Sequence, residues 1–231
     1  MCGRIVQKSG PLDYVERIFP NPHRVFDDPA GPRYNIPPGT RPLAMHRLAG
    51  EFELGRLPWG WRPHNSKYLM SNARLDKVLA GAWPWKMLTS HGRILVPADG
   101  WYEWKQLGTG PKPAKQPYYI HATDGAPLYF AGLSNWRPGM EKDEAHGFAI
   151  VTNDAAGGMI DVHDRRPVAL PPDLALHWMD PDFPTAQALD VLGLGLPESA
   201  FTWHPVRPEV GSSRYQMPDA VDPVEPLTPP A

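Results

Sequence analysis

Cysteine is almost absent from this sequence: Cys2 is the only one among 231 residues. A single thiol cannot form an internal disulfide, and without neighbouring cysteines it cannot build a cysteine-based zinc site. The nine histidines show no spacing typical of a metal motif, so we predict no metal and no other cofactor. Cys2 is therefore either inert or reactive.

Long apolar segments are absent as well. The sequence contains no run of about 18 apolar residues, and its first residues, MCGRIVQKSG, lack the charged and apolar regions of a signal peptide. We expect a soluble monomer without a membrane partner, located in the cytoplasm and associated with the nucleoid if the source is bacterial.

An excess of positive charge is also missing. The net charge of −2 argues against a broadly basic nucleic-acid binder, because phosphate binding depends on clustered lysine and arginine. Residues 217–231 hold Asp219, Asp222 and Glu225 but no lysine or arginine, so the rest of the chain has a net charge of +1. A local arginine patch is compatible with this balance.

Proline and glycine are abundant, with 30 and 21 residues, which indicates many turns and few long helices. We predict an α+β fold with a mainly antiparallel, curled or barrel-like sheet and a few short helices. Residues 2–216 would form one domain, and the proline-rich residues 217–231 a disordered tail. Predicted strands cover residues 4–6, 43–48, 52–61, 93–97, 102–105, 118–122, 128–133, 148–152 and 167–170, and predicted helices cover 12–19, 173–179 and 185–192.

Cys2 has a chemically special position. Removal of Met1 would leave its α-amine and its thiol on adjacent carbons, which is a 1,2-aminothiol. The amine forms an imine with an aldehyde, and the thiol then closes a five-membered thiazolidine ring on the same carbon. An α-amine has an ordinary pKa of about 7.7–8.0, so part of it is neutral at physiological pH. The alternative is an accidental cysteine near a frayed terminus.

Two further residues have side chains suited to proton transfer. Glu103 stands between aromatic residues in an otherwise apolar block, where burial would raise the pKa of its carboxyl. It would otherwise be a surface residue of an amphipathic strand. His163 lies between a glycine-rich stretch and a predicted strand, although a lone histidine is more often structural.

Polar and basic residues suited to a sugar and to phosphates lie near these candidates. In an extended segment Asn72 and Arg74 share one face, so that the amide can orient a sugar and the guanidinium a phosphate. Further arginines are available for a narrow phosphate track, namely Arg4, Arg33, Arg165 and Arg166. Trp59, Trp61, Trp101 and Trp104 are suited to base stacking, but we assign most of them to the core.

Taken together, these motifs resemble the SRAP family (SOS response-associated peptidase-like proteins), which shields abasic sites in single-stranded DNA. The shared motifs, in the family's order, are the Met-Cys-Gly-Arg start, Arg33-Tyr-Asn-Ile with Pro38, Trp59-Gly60, Asn72-Ala-Arg74, the block from Pro97 to Trp104, Ala131-Gly-Leu133 and His163-Asp-Arg165 with Pro167. The resemblance covers residues 2–206.

This resemblance implies that Cys2 bonds covalently to the ring-opened abasic sugar, with Asn72, Glu103 and His163 around the reacting centre. It also implies DNA-binding roles for Arg4, Asn35, Pro38, Arg74, Trp104 and Arg165. Crosslinking, lyase-type cleavage and removal of Met1 by the protein itself would be its activities, in a DNA damage or SOS response.

The sequence departs from the family pattern at several positions. Asp76 replaces a longer glutamate, which puts a supporting salt bridge in doubt. Arg166 replaces a methionine, and Asn65 replaces a tryptophan that would stack on a base. The stretch 210–214 lacks paired asparagines, and we assign no function to it.

Two other functions fit part of the sequence. A cysteine peptidase would use Cys2 as a thiolate and His163 as a base, but it does not need a free α-amine. A noncovalent single-stranded DNA module explains the arginines and tryptophans but gives Cys2, Glu103 and His163 no role.

Overall fold

The structure is a computed structural model that describes residues 2–19, 28–63, 66–109, 111, 113–141, 143 and 145–227. Its strands are β1 (Ile5–Gln7), β2 (Arg33–Ile36), β3 (Leu43–His46), β4 (Glu53–Arg56), β5 (Asn72–Arg74), β6 (Arg93–Ala98), β7 (Gly100–Leu107), β8 (Ala114–Ala122), β9 (Leu128–Ser134), β10 (Phe148–Asp154), β11 (Arg165–Pro167), β12 (Ala169–Leu170) and β13 (Phe201–Pro205). Its α-helices are α1 (Pro11–Glu16), α2 (Leu75–Leu79), α3 (Trp85–His91), α4 (Pro172–Met179) and α5 (Thr185–Gly193). None of these described helices is long and apolar enough to cross a membrane.

The strands form two sheets. One has five strands in the order β13-β8-β7-β1-β2, and its pairs are antiparallel. The other has eight strands, in the order β11-β10-β9-β6-β3-β4 with β12 beside β9 and β5 beside β10. The β5–β10 pair is parallel. The predicted α+β class with mainly antiparallel sheets is confirmed, although the described strands form two open sheets and no closed barrel.

The chain passes from the larger sheet to the smaller one at Asp99, between β6 and β7. The Asp99 carboxylate accepts hydrogen bonds from the backbone amides of Lys8, at 2.6 Å, and Ser9, at 3.0 Å. It also accepts one from the Tyr14 hydroxyl at 2.5 Å and one from the Ser9 hydroxyl. The segment after β1 is thereby fixed against the crossing point.

The next residue, Gly100, allows β7 to approach β8 closely. A Cβ atom at this position would lie 2.4 Å from the Ile120 carbonyl oxygen and 2.5 Å from the Tyr119 ring. Because both neighbours are buried, a larger residue would push β7 away from β8.

Apolar side chains fill the space between the sheets and beneath the helices. Between the sheets, the ring of Trp101 meets that of Phe130 edge to face, with centroids 5.8 Å apart. The helices cover the other face of the larger sheet, where Trp85 and Trp178 are buried. As predicted for most of the candidate tryptophans, Trp59 and Trp101 belong to the core.

Several elements were not predicted from the sequence. Helices α2 and α3 have only five and seven residues, and buried side chains such as Val78 and Leu88 hold them in place. Strands β2, β5 and β13 were also missed, and β7 and β8 extend into residues 106–116, beyond the predicted strands 102–105 and 118–122. Elements this short depend on tertiary packing more than on local sequence pattern.

The prediction of a disordered tail is wrong for residues 217–227. Residues Pro218–Val221 form a 3-10 helix, and Ala220 is buried beside Tyr102, whose hydroxyl donates a hydrogen bond to the Ala220 carbonyl at 3.2 Å. Backbone amides of Val224 and Leu227 bond to the domain at 3.0 and 2.7 Å. These contacts offset the loss of conformational entropy when this proline-rich segment becomes ordered. Residues 228–231 lie outside the described residues.

Asp99→Ala tests the importance of the crossing point. The substitution leaves the amides of Lys8 and Ser9 and the Tyr14 hydroxyl without their acceptor, and we expect a loss of about 3 kcal/mol or more in the free energy of unfolding. Urea unfolding measures this loss. The control is Asp124→Ala at an exposed turn, where we expect less than about 1 kcal/mol. Equal losses in the two variants would contradict the role assigned to Asp99.

Candidate active site

The four predicted central residues meet where the two sheets adjoin. Cys2 immediately precedes β1 of the smaller sheet and is fully buried. Asn72 begins β5 of the larger sheet, and its Nδ2 donates a hydrogen bond to the Cys2 carbonyl oxygen at 3.0 Å. Glu103 and His163 form a second pair, with 3.7 Å between Glu103 Oε2 and His163 Nε2.

The nitrogen and the oxygen of the Asn72 side-chain amide differ in their hydrogen bonding. Its Nδ2 has the Cys2 carbonyl and, at 3.3 Å, the Ser71 hydroxyl as acceptors. Its Oδ1 is buried and has no hydrogen-bond donor among the described residues. An acceptor left unpaired in this way costs about 1–3 kcal/mol. The site therefore holds a positioned acceptor suited to a ligand hydroxyl or amine.

The carboxyl group of Glu103 is buried in an apolar environment. It lies on β7, where the bend at Asp99 directs the strand into the smaller sheet, and its side chain is only 3% exposed. Burial raises the pKa of the Glu103 carboxyl to about 7. At neutral pH this carboxyl can therefore both release and accept a proton.

The Cys2 thiol is affected by the same environment. Burial, reinforced by the negative charge of Glu103, raises the pKa of the thiol well above its ordinary value. Cys2 is thus a neutral thiol in this site, and its chemistry requires a group that removes the thiol proton as sulfur reacts.

His163 follows the 3-10 helix Gly157–Asp161, and its backbone amide bonds to the Met159 carbonyl at 3.0 Å. The ring is one-quarter exposed, and burial lowers the pKa of its imidazole. A neutral ring is therefore favoured at neutral pH. Beside it opens a polar cleft of about 510 Å³, lined by Glu103, Trp104, Lys105, Gln106, Lys115, Ile160, Asp161, Val162, His163 and Asp164.

Two of the predicted DNA-binding residues, Arg4 and Asn35, form hydrogen bonds with the C-terminal segment. Arg4 donates to the carbonyl oxygens of Val210, at 2.8 Å, and Gly211, at 3.0 Å, and to the Asn35 side-chain oxygen at 2.7 Å. Asn35 is buried, and its Nδ2 donates to the carbonyls of Val210 and Ser212, both at 2.9 Å. The stretch to which the sequence assigned no function is thus the partner of both residues.

The remaining predicted DNA-binding residues differ in exposure. Pro38 and Trp104 are half-buried, and the Arg4 guanidinium lies 5.6 Å from the Trp104 ring centroid. Arg165 is buried and bonds to the Asp154 carboxylate and the Thr152 carbonyl, each at 2.7 Å.

Arg74 is exposed and forms a two-pronged ion pair with Asp76, at 2.9 and 3.0 Å. The shorter Asp76 therefore retains a salt bridge at this position. Among the predicted phosphate contacts, Arg74 presents the most accessible guanidinium near Asn72.

Arg166 and Asn65 are the other two positions at which the sequence departs from the family pattern. The Arg166 guanidinium lies 5.5 Å from the Phe201 ring centroid, and burial lowers its pKa. It therefore packs against Phe201, and it is not among the residues that line the cleft. Asn65 lies outside the described residues.

The geometry agrees with the comparisons to known proteins. The family model described as SOS response associated peptidase (SRAP) matches residues 1–213. The chain belongs to the SRAP family. This confirms the resemblance inferred from the sequence motifs.

Similar SRAP proteins include three with related names. "Abasic site processing protein YedK" of Escherichia coli (strain K12) is 36% identical over 229 residues, covering 97% of this chain and 100% of YedK. "Abasic site processing protein YoaM" of Bacillus subtilis (strain 168) is 31% identical over 189 residues, covering 78% of this chain and 80% of YoaM. "Abasic site processing protein HMCES" of Xenopus tropicalis is 27% identical over 266 residues, covering 96% and 78%.

Solved structures include two that this SRAP chain resembles in fold. A phage-related protein of Bordetella bronchiseptica is 66% identical, with a TM-score of 0.84 and coverage of 94% of this chain and 100% of that one. A protein of Bacteroides thetaiotaomicron has a TM-score of 0.72 at 19% identity, covering 97% and 100%. The second likeness concerns the fold alone.

Glu103→Gln tests the cost of burying the carboxylate. With a pKa of about 7 when folded and an ordinary value of 4.5, Glu103 holds its proton more tightly in the folded state. Its contribution to stability is complete below pH 4.5 and is lost as the pH rises through 7. The stability of the variant relative to the wild type should therefore rise by up to about 3 kcal/mol between pH 4.5 and 8.

Urea unfolding at several pH values measures this difference. Exposed Glu16→Gln is the control and should follow the wild-type profile. A Glu103→Gln profile parallel to the wild type would show that this carboxyl is not perturbed.

Proposed function

We propose that this SRAP protein processes abasic sites in DNA, and that it captures them in single strands as a covalent thiazolidine adduct of Cys2. The observation that carries the proposal is the convergence of Cys2, Asn72, Glu103 and His163 at one junction. The names of the relatives YedK, YoaM and HMCES support the substrate class.

The proposed reaction balances without a cofactor or an oxidant. The ring-opened abasic sugar presents an aldehyde carbon, and the free α-amine of Cys2 adds to it. The resulting hydroxyl leaves as water, which gives the imine. The thiol sulfur then bonds to the same carbon while its proton passes to the nitrogen. One water is released in total. If a base removes the C–H proton next to the imine carbon before sulfur adds, the C–O bond to the 3′ phosphate breaks and the phosphate leaves, which is lyase-type strand cleavage.

Glu103 and His163 supply the proton transfers that this sequence requires. A carboxyl with a pKa of about 7 can protonate the departing hydroxyl and then, as a carboxylate, assist removal of the thiol proton. His163 lies 3.7 Å from the Glu103 carboxylate and borders the open cleft, so it can exchange protons between Glu103 and solvent. Asn72 Oδ1 would accept a hydrogen bond from a sugar hydroxyl.

A cysteine peptidase that uses Cys2 and His163 is the competing function. The burial of the thiol argues against it, because a peptidase needs a stabilised thiolate, whereas burial and the Glu103 carboxylate raise the pKa of the Cys2 thiol and so disfavour its thiolate form. In thiazolidine formation sulfur attacks an imine that is already bound, so the thiol does not have to be ionised beforehand.

Cys2→Ala tests the covalent step. We expect a heat-stable crosslink to an oligonucleotide with one abasic site to disappear, while weak binding to intact single strands remains. Cys2→Ser keeps the amine and should retain imine-dependent strand cleavage without the stable adduct. Denaturing gel electrophoresis reads out both products, and an undiminished crosslink in Cys2→Ala would exclude Cys2 as the attachment point.

Blocking the α-amine separates thiazolidine chemistry from peptidase chemistry. Protein beginning at Cys2 and acetylated on its α-amine keeps the thiol and His163 but cannot form an imine. Crosslinking should fall to background, while the unfolding midpoint and binding to intact single strands change little. Robust crosslinking by the acetylated protein would falsify the aminothiol mechanism. A one-residue extension before Cys2 provides a second test of the same requirement.

The Arg74–Asp76 pair offers matched variants for DNA binding. Arg74→Ala should weaken binding to abasic and intact strands alike and reduce the salt dependence of log K by about 0.7, the value for one lost contact to a single strand. Asp76→Asn removes the internal partner of Arg74 and should tighten binding to both strands. Fluorescence anisotropy at several salt concentrations measures these effects. Unchanged affinity in both variants at every salt concentration would place the phosphate contacts elsewhere.

A further inference from the structure

The imidazole of His163 has two partners at the same nitrogen. The backbone amide of Arg165 lies 3.0 Å from Nδ1 and can only donate a hydrogen bond. The carboxylate of Asp164 lies 2.9 Å from the same Nδ1 and can only accept one when ionised. Both partners directly follow His163, Asp164 in the bend and Arg165 as the first residue of β11.

These partners require different proton positions on the ring. The Arg165 amide favours a ring with a lone pair on Nδ1, so that the proton of the neutral imidazole lies on Nε2. Asp164 favours a proton on Nδ1, either in the imidazolium or in the other neutral tautomer. The choice at Nδ1 determines what Nε2 presents to Glu103, 3.7 Å away.

We propose that Asp164 is a positioning residue that sets the proton on His163 Nδ1 and so converts the inward-facing Nε2 from a donor to an acceptor. The Arg165 amide has the opposite effect, and both lie within reach of one nitrogen. Asp164 is well placed to respond to solvent because its side chain is 78% exposed, whereas that of Glu103 is 3% exposed.

This inference rests on the proposed function for its role in the reaction. With Nδ1–H bonded to Asp164, the Nε2 lone pair accepts the proton that leaves the thiol, directly or through Glu103. The imidazolium thus formed keeps both protons. The proton on Nδ1 is donated to Asp164, and the proton on Nε2 faces the site. It returns the Nε2 proton to the nitrogen of the closing ring, and no proton is gained or lost overall.

Other charged groups also face the ring and its cleft. Glu103 approaches from β7 and Arg165 from the start of β11. Lys105 on β7, Lys115 on β8 and Asp161 line the same cleft, whereas the contacts at Nδ1 are those of Asp164 and the Arg165 amide. Asp161 therefore provides a matched control: removing its charge changes the same cleft but not the contact at Nδ1.

The first test measures the ring without DNA. Long-range ¹H–¹⁵N spectra report the protonation of each imidazole nitrogen, and His163→Gln identifies the His163 signals. In Asp164→Asn we expect the pKa of His163 to fall, the imidazolium population at a given pH to drop about threefold, and the neutral ring to carry its proton on Nε2. Asp164→Glu should restore the wild-type behaviour, and Asp161→Asn should leave it unchanged.

The second test follows the crosslinking rate against pH under single-turnover conditions. In Asp164→Asn, the limb of the pH–rate profile that depends on His163 should move to lower pH, as the pKa of His163 does in the spectra. The reaction near neutral pH should slow about threefold. A His163 ring that titrates alike in Asp164→Asn and wild type, or that responds as strongly to Asp161→Asn, would overturn the inference. Because the spectra need no substrate, a failure of the proposed abasic-site capture leaves that result interpretable.

Discussion

The bend at Asp99 is the constraint on which the rest of the structure depends. One continuous stretch of chain supplies the centre of the larger sheet as β6 and the centre of the smaller sheet as β7. The carboxylate of Asp99 ties this bend to the segment after β1, and Gly100 lets β7 lie close to β8. Glu103 and Cys2 therefore meet because two strands of one sheet are fixed at the same corner.

The low polarity of the site disfavours charge on its buried groups. Burial holds Cys2 as a thiol and makes Glu103 readily protonated, and both effects follow from the low polarity of the junction between the sheets. His163 links this dry interior to the polar cleft. Burying such groups lowers the free energy of unfolding, and the dense packing of the two sheets offsets this loss of stability.

The sequence predicted which residues meet at the site better than it predicted the framework that brings them together. Cys2, Asn72, Glu103 and His163 were identified because their residue types and motifs are informative, and most long strands were found from runs of β-branched and aromatic residues. The structural roles of Arg4 and Asn35 were not found, since their partners are carbonyls of residues more than 170 positions away. The contact of Asp164 with His163 Nδ1 was not predicted, because a sequence does not show which ring nitrogen the following carboxylate reaches. Helices α2 and α3 were missed because their stability comes from buried contacts rather than from local pattern.

The contacts of Arg4 and Asn35 with residues 210–212 also govern when the site can form during synthesis. Strand β1 can pair with β2 about 30 residues later, but its pairing with β7 must wait about 100 residues, and Arg4 must wait for nearly the whole domain to leave the ribosome. At about 5–20 residues per second these intervals are roughly 5–20 s for β7 and about twice that for the C-terminal segment. Until β7 has emerged, the five-stranded sheet that follows this segment is incomplete. Enzymes that act on nascent chains thus have access to the amine side of Cys2 before folding encloses it.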